Sequence, residues 1–264
     1  MTRLTRALNG LANYACLLSP AGYGRVGGRH VCLVAHRGAH RLDGVIENTV
    51  AAFDPCLEAG VWGLELDIRW TRDGEPVVHH DPACGRTFGR PDIVIDRVSW
   101  EELQQSLPAV PHFSEVVERY GGRMHLMIEI KEDVARRTAL AERVMELLQP
   151  LQPERDYHLM SLVPDDLEAF RDVPRAALVD VAWLNTARII ERNRKLGHGG
   201  VGGSFVLLGN RRLRQLRKEG RKIGTGFVDT PAALRREIHR GVDWIFTDNA
   251  LAMQAVLDRE GPGA

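Results

Sequence analysis

The sequence predicts an α/β fold, a TIM (β/α)₈ barrel with a β-hairpin insertion after the second strand. Short apolar runs alternate with helical patterns from Val31 almost to the C-terminus, an order typical of a parallel sheet covered by helices. Nine strand-like runs are present, one more than a barrel needs. The pair Asp73-Gly74 predicts a tight hairpin between two of them, which leaves eight parallel candidates. A doubly wound open sheet is the alternative.

The predicted elements follow one another without a Ser/Pro-rich linker. In chain order the strand candidates are 31–36, 63–68, 76–81, 125–130, 157–161, 176–181, 202–207, 223–228 and 244–247. The helix candidates include 49–59, 134–148, 186–196, 211–219 and 232–240. Several helices are followed by a glycine, as left-handed C-caps require, at Gly60, Gly197, Gly220 and Gly241.

The hairpin predicts a register for its two strands. A two-residue loop can join only antiparallel strands, because a parallel return needs a crossover of about a dozen residues. If Asp73 and Gly74 form the loop, Asp67 lies directly opposite His80, and alternation puts Glu65 on the same face as Asp67. We therefore expect a histidine and two carboxylates near the C-terminal end of a strand, which is the functional end of such barrels.

Composition and charge narrow the class of protein. The 264 residues carry 35 basic and 35 acidic side chains, so nothing global points to nucleic acid as a partner. The chain has no run of eighteen apolar residues that could span a membrane. Its four cysteines lack CxxC spacing, which predicts reduced thiols and a cytoplasmic location. We expect residues 1–29 to form an N-terminal helix and loop extension rather than a signal peptide, and residues 30–260 to form one catalytic barrel domain.

Polar side chains follow several of the predicted strands. Glu65, Asp67 and Glu129 would point into one barrel mouth, and three carboxylates suit Mg²⁺ or Ca²⁺ better than zinc. Arg37 and Lys131 are cations that could bind an anion there.

Two histidines complete the constellation, since His36 and His80 can act as an acid–base pair near neutral pH. Each of these residues alone is more often a solvated charge or an ion-pair partner. Together they indicate attack at phosphorus in a phosphodiester. The neighbouring His79 should project to the opposite face and be structural.

Six segments of the chain carry a resemblance to a known protein family. They are AHRG (35–38), ENTVAAF (47–53), ELDIRWTRDGEPVVHHD (65–81), EIK (129–131), MSL (160–162) and GVDWIFTDNA (241–250). Together they resemble the glycerophosphodiester phosphodiesterase family from about Val31 to Ala250, and the joint pattern is far more specific than any one segment.

The resemblance implies a TIM barrel and one divalent cation, Mg²⁺ or Ca²⁺, held by the residues matching Glu65, Asp67 and Glu129. It also implies His36 and His80 as the catalytic pair, Arg37 and Lys131 at the phosphate, and Glu47 with Asn48 as support, Glu47 by fixing Arg37. The implied reaction is hydrolysis of a small-molecule glycerophosphodiester to sn-glycerol 3-phosphate and an alcohol. We assign His36 as base and His80 as the acid for the leaving group, with either water or the substrate's glycerol hydroxyl as first nucleophile.

Two departures leave the substrate open. The family often has Trp-Thr-Val-Asn on the seventh strand, where this chain has Gly226-Phe227-Val228-Asp229, and Leu162 stands where phenylalanine is usual. In addition, residues 185–222 contain eleven Lys and Arg against two Glu, which indicates either a solvated outer face or contact with anionic lipid. A lysophospholipase D-type enzyme at a membrane surface, reached through 185–222 or the N-terminal helix, is therefore the alternative. A non-catalytic barrel that binds phosphate-bearing ligands is a third hypothesis.

Overall fold

A computed structural model describes residues 3–16, 31–131 and 138–260. The strands are β1 (Cys32–His36), β2 (Gly63–Trp70), β3 (Pro76–Val78), β4 (Ala83–Cys84), β5 (Arg90–Val94), β6 (His125–Ile130), β7 (Tyr157–Ser161), β8 (Leu178–Ala182), β9 (Gly200–Ser204), β10 (Lys222–Gly226) and β11 (Trp244–Thr247). The helices are α1 (Arg3–Ala15), α2 (Val50–Glu58), α3 (Gly85–Phe88), α4 (Trp100–Ser106), α5 (Phe113–Tyr120), α6 (Thr138–Leu148), α7 (Thr186–Leu196), α8 (Asn210–Lys218), α9 (Pro231–Arg240) and α10 (Ala250–Glu260). Short 3₁₀ segments cover Ile95–Arg97, Pro164–Ala169 and Arg175–Ala177.

Eight parallel strands close into a TIM barrel, as predicted. They neighbour one another in the order β1-β11-β10-β9-β8-β7-β6-β2, and β2 pairs again with β1 to complete the ring. β3 pairs antiparallel with β2 outside this ring, and β4 and β5 form a separate two-stranded sheet in the same insertion. Closure matters for function because it brings the C-terminal ends of distant strands to one mouth.

Helix ends follow the local chemistry of the sequence. Thr49 and Thr230 cap α2 and α9 through side-chain oxygens that accept backbone N–H bonds, and Pro231 starts α9 at the position where a missing N–H costs nothing. The predicted glycine ends at Gly197 and Gly241 have φ values of +78° and +66°, which only glycine adopts without strain.

The hairpin register predicted from Asp73-Gly74 is wrong by one residue. The observed pairs are Ile68 with Val78 and Trp70 with Pro76, so the backbone N–H of His79, not of His80, donates to Asp67 O. The loop has three residues because Thr71 already pairs with Glu75: its N–H donates to Glu75 O at 3.0 Å, and Gly74 at φ +84° closes the turn. Such three-residue loops with a left-handed glycine are a common hairpin form.

Side chains alternate between the barrel lumen and the helical layer. The lumen contains Val34, Met127, Met160, Val179, Trp244 and Phe246 in one cluster. Trp244 and Phe246 lie over glycines of β10 and β9, since a Cβ on Gly224 would lie 2.8 Å from Phe246 and one on Gly200 would lie 3.0 Å from Trp244. The glycines of β9 and β10 therefore make room for aromatic rings in the lumen. These apolar side chains fill the lumen, and the polar residues of the mouth lie above them.

Some predicted boundaries differ from the structure. The strand predicted at 202–207 is β9, which starts earlier and ends at Ser204 because Leu207 N–H turns back to Ser204 O. The run predicted at 76–81 is a strand only to Val78, and residues 134–137 of the predicted helix 134–148 lie outside the described residues.

The N-terminal helix packs on the barrel. α1 contacts α9, but residues 17–30 lie outside the described part of the chain, so the division into 1–29 and 30–260 stays a prediction. Within the described ranges, no helix is both long enough and apolar enough to cross a membrane.

Candidate active site

Strand register brings the predicted carboxylates together at the barrel mouth. On neighbouring strands, His36 pairs with Glu65 and Asp67 pairs with Glu129. Because these positions all face inward, one oxygen from each of Glu65, Asp67 and Glu129 lies within 4.8 Å of the others. All three side chains are buried.

The electrostatics of this cluster fit a divalent cation. Burial and the neighbouring Asp67 carboxylate raise the pKa of Glu65, and its Oε1 has no hydrogen-bond partner among the described residues. Burial would also raise the pKa of Asp67, but Lys131 and Arg37 lower it. A buried carboxylate oxygen without a donor is costly, and a hard cation would satisfy it. The donor set therefore fits Mg²⁺ or Ca²⁺.

Two cations lie against the carboxylates. Lys131 Nζ is 2.9 Å from Asp67 Oδ1 and 2.5 Å from Glu129 Oε1. Burial lowers the pKa of Lys131, but these two carboxylates outweigh it and raise the value, so the ammonium is charged. Arg37 Nε lies 3.1 Å from Asp67 Oδ2. A phosphate entering the mouth would meet both groups.

The loop after β1 places Arg37 through unusual backbone geometry. Arg37 has φ +59° and its N–H donates to Glu65 O at 2.9 Å. The following Gly38 has φ +81°, and a Cβ there would lie 2.6 Å from Ala52 O. Such left-handed conformations are strained for residues with a side chain and cluster at functional sites.

The predicted supporting pair does two different tasks. Glu47 accepts a 2.8 Å bond from Arg37 Nη1 and two more from Arg86. Burial would raise the pKa of Glu47, but these guanidinium groups lower it to about 2. Asn48 is at φ +59° and donates from Nδ2 to Asp67 Oδ2 at 2.7 Å, so it orients a predicted metal ligand.

His36 is held by a carboxylate from the last strand end. Its Nδ1 lies 2.6 Å from Asp248 Oδ1, and its Nε2 lies 3.8 Å from Glu65 Oε2. Burial lowers the pKa of His36, but Glu65 and Asp248 outweigh burial and raise it to about 8.

The pKa of His80 is shifted in the opposite direction from that of His36. Its Nδ1 lies 2.6 Å from Asp81 Oδ1, and burial together with the charges of Arg37 and Lys131 lowers its pKa to about 4, although Asp67 acts in the other direction. The register error did not remove His80 from the site, because β3 ends at Val78 and the last backbone bond to β2 is that of His79 with Asp67. His79 is buried and its ring nitrogens contact Asp81 O and Thr87, as expected of a structural histidine.

The structure thus brings together all the predicted site residues, and it adds residues that sequence reasoning missed. Asp248 lies in the segment 241–250 that carries the family resemblance, but no role was predicted for it. Arg86, in the insertion, bridges Glu47 and Asp81, with its Nε 2.6 Å from Asp81 Oδ2. The signal for Asp81 was its place beside His80, whereas nothing in the sequence singles out Arg86, whose contacts depend on how the insertion folds over the mouth.

Aromatic rings lie beside His36, although the tryptophan that the family often has on the seventh strand is absent from this chain. The Phe227 ring lies edge-on to His36 at 5.8 Å between centroids, and Trp183 lies edge-on to Phe227 at 5.8 Å. Trp183 follows β8 and Phe227 follows β10, so the ends of two different strands contribute these rings.

Comparisons with known proteins agree with this geometry. The model of the Glycerophosphoryl diester phosphodiesterase family matches residues 36–252. A glycerophosphodiester phosphodiesterase of Caldanaerobacter subterraneus subsp. tengcongensis is 27% identical over 233 residues, which cover 82% of this chain and 93% of that protein.

Solved structures share the fold. A glycerophosphodiester phosphodiesterase from Thermotoga maritima aligns with a TM-score of 0.73 and 26% identity, covering 86% of this chain and 99% of that one. An Oleispira antarctica phosphodiesterase, solved in complex with the product sn-glycerol-3-phosphate, aligns with a TM-score of 0.72 and 22% identity, covering 86% and 96%.

Proposed function

The chain belongs to the glycerophosphoryl diester phosphodiesterase family, and on that basis we propose that it hydrolyses glycerophosphodiesters to sn-glycerol 3-phosphate and an alcohol with two histidines and one divalent cation. The observation that carries this proposal is the meeting, at one barrel mouth, of three buried carboxylates, two cations and two histidines of opposite pKa shift. Environments that separate two pKa values in this way are typical of an acid and a base.

Before a cation binds, the pKa values of the two histidines favour an assignment of roles opposite to the one made from the sequence. At pH 7, His80 with a pKa of about 4 is neutral and can accept a proton from the attacking water or glycerol hydroxyl. His36 with a pKa of about 8 is protonated and can donate to the departing oxygen, while Asp248 holds its Nδ1. A base and an acid poised on either side of neutrality are the arrangement that general catalysis needs.

The remaining residues bind and orient the phosphate. Arg37, fixed by Glu47, can contact two phosphoryl oxygens, and Lys131 adds a point charge. Glu65, Asp67 and Glu129 would hold the cation, either Mg²⁺ or Ca²⁺. When bound, such a cation stabilises negative charge on the phosphoryl oxygens. A cytoplasmic location stays a prediction.

The test is release of glycerol 3-phosphate by purified protein from glycerophosphoethanolamine, glycerophosphocholine and glycerophosphoglycerol. Each reaction is run with EDTA, with Mg²⁺ and with Ca²⁺. We expect activity that needs a cation and that falls by at least about 10²-fold in His36→Ala and in His80→Ala. His112→Asn is the matched control, because His112 caps α5 through its ring and asparagine is a good cap. Activity that survives both substitutions, or EDTA, would contradict the proposal.

A lipid-directed activity of the lysophospholipase D type is the second candidate. Large apolar side chains are exposed on seven of the described residues: Leu11, Tyr14, Leu42, Leu162, Val163, Leu184 and Val206. Five of these lie in loops that follow barrel strands, on the side of the mouth. Scattered exposed apolar residues are ordinary, but a set on one face indicates an interaction site.

Basic residues lie beside some of these exposed apolar side chains. A groove of about 580 Å³ lies between Leu162 and Arg188, and one of about 600 Å³ between Val206 and Arg211. Neither Arg188 nor Arg211 forms an ion pair with the described residues. Elsewhere in 185–222, ion pairs are formed by Arg192, Arg194 and Lys195. Arg212, Arg217 and Arg221 donate instead to backbone carbonyls. These contacts support a solvated outer face there.

Lysophospholipid micelles and anionic vesicles test this second candidate. Arg188→Gln with Arg211→Gln should weaken sedimentation with phosphatidylglycerol vesicles, because each basic residue near such a surface contributes about 1 kcal/mol. Lys218→Gln, at the other end of α8, is the matched control. Vesicle binding that does not change in the double variant, or no choline release from lysophosphatidylcholine, would exclude the lipid-directed activity. Inactivity on every diester would leave the non-catalytic barrel.

A further inference from the structure

A short segment after β10, residues 227–229, takes part in the contacts that position His36. Phe227 has φ +65°, a left-handed conformation that its bulky side chain disfavours. Its ring lies between His36 and Trp183. A strained residue in direct contact with a predicted catalytic ring needs something that holds its backbone in place.

The same segment also positions the carboxylate behind His36. Asp229 Oδ1 accepts the backbone N–H of Asp248 at 2.9 Å and the hydroxyl of Thr247 at 3.0 Å, and its Oδ2 accepts from Arg41 at 2.9 Å. Asp248 in turn contacts His36 Nδ1. Residues 227–229 therefore reach His36 both directly, through Phe227, and indirectly, through Asp229 and Asp248.

One side chain from outside the barrel binds both ends of this segment. Asn13, on α1, is buried. Its Nδ2 donates to Phe227 O at 2.8 Å and its Oδ1 accepts the N–H of Asp229 at 2.9 Å. Asn9 adds a longer bond of 3.3 Å to the same carbonyl. The amide side chain thus provides one donor and one acceptor to the segment, as a neighbouring strand would.

Helix α1 lies outside residues 36–252, the part of the chain that the family model matches. We propose that Asn13 is a positioning residue for the active site, which holds Phe227 and Asp229 so that the Phe227 ring and the Asp248 carboxylate keep His36 in its working orientation. This inference rests on the proposed function. It assigns the N-terminal helix a part in catalysis that a merely packed helix would not have.

The consequence for kinetics follows from what Asn13 does and does not touch. The phosphate-binding side chains Arg37 and Lys131 make their contacts without it. Loss of Asn13 should therefore lower kcat, through a misoriented His36, and change KM little. We expect about a tenfold loss of kcat, since misplaced catalytic groups lose rate steeply.

The experiment compares Asn13→Ala with Leu11→Ala, a substitution on the same helix at a side chain that is 67% exposed. Asn13→Ala should lower kcat about tenfold and Leu11→Ala should match wild type. Asn13→Asp is the second variant, because it keeps the acceptor for Asp229 but loses the donor to Phe227, and it should lower kcat as well. Thermal unfolding of each variant shows that the barrel is folded.

A double-mutant cycle with Phe227→Ala separates positioning from general stabilisation. Because Phe227→Ala removes the ring but leaves the route through Asp229 and Asp248, Asn13→Ala should lower kcat by a smaller factor in the Phe227→Ala background than in wild type. Equal losses in both backgrounds, or a kcat for Asn13→Ala within twofold of wild type, would overturn the inference.

An NMR measurement tests the positioning role of Asn13 separately from the proposed enzymatic activity. The ring-proton resonance of His36, assigned by its absence in His36→Ala, should move in Asn13→Ala toward its position in Phe227→Ala, because the Phe227 ring shifts it. This readout needs no substrate. Inactive wild-type protein would count against the proposed function alone, whereas an unmoved His36 resonance in Asn13→Ala would overturn the positioning role.

Discussion

Two buried histidines at the closed end of the barrel predict an acid-sensitive fold. His125 Nε2 lies 2.7 Å from His158 Nδ1, and Trp62 stacks on the His125 ring. Burial, with the charge of Lys222, lowers the pKa of His125 to about 4, although the carbonyl of Arg155 acts in the other direction. Burial and His125 lower that of His158 to about 2. Both rings are therefore neutral in the folded protein at pH 5.

The sign and size of the effect follow from linkage. The unfolded chain protonates each histidine near pH 6.5, whereas the folded chain does so only below about 4. The unfolded state thus binds more protons between these values, so stability falls as pH decreases through 6.5. At pH 5, which is 1.5 units below 6.5, the free energy of unfolding is lower by about 2 kcal/mol for each histidine. The pair together contributes about 4 kcal/mol, a large part of an ordinary domain's stability.

His158→Asn tests this reasoning by urea unfolding at pH 7.5 and pH 5. Asparagine removes the titrating ring, and its Oδ1 can take the place of Nδ1 beside His125. The loss of stability between the two pH values should be about 2 kcal/mol smaller than in wild type. Gln104→Asn, at an exposed position of α4, is the control; it changes no titrating group and should leave that loss unchanged. A loss in His158→Asn equal to that of wild type would refute the reasoning.

Two further predictions concern the site. Gly38→Ala should destabilise the protein by about 2–4 kcal/mol in urea unfolding, since it adds a clash with Ala52 O to the strain of φ +81°. Gly44→Ala, at φ +73° with open space around it, should cost only about 1 kcal/mol, and equal costs would show that the clash is relieved. Asp248→Asn should keep the contact with His36 Nδ1 but lose its charge, lowering kcat by about 10²-fold with KM nearly unchanged. A kcat equal to that of wild type would mean that the charge of Asp248 does not contribute.

Local patterns determined most of the architecture. Strand and helix alternation, glycine helix ends and one Asp-Gly turn predicted a closed barrel with a hairpin, because each depends on contacts within a few residues. The strand ends also identified the carboxylates, since inward alternation and the shared mouth follow from the fold itself. The predicted hairpin register was wrong because Thr71 pairs with Glu75 and leaves a three-residue loop that ends at Gly74, a loop length that the pair Asp-Gly does not specify.

The sequence by itself therefore determined the fold class and the residues that meet at the mouth. Only the tertiary structure decided how those residues are charged and held. The proton states of His36 and His80 depend on Asp248, on Lys131 and on burial, which arise from parts of the chain far apart in sequence. The support from Arg86 and Asn13 likewise depends on where an insertion and an N-terminal helix pack. Periodicity reports which face a side chain occupies, whereas its pKa and orientation depend on distances that exist only in the folded barrel.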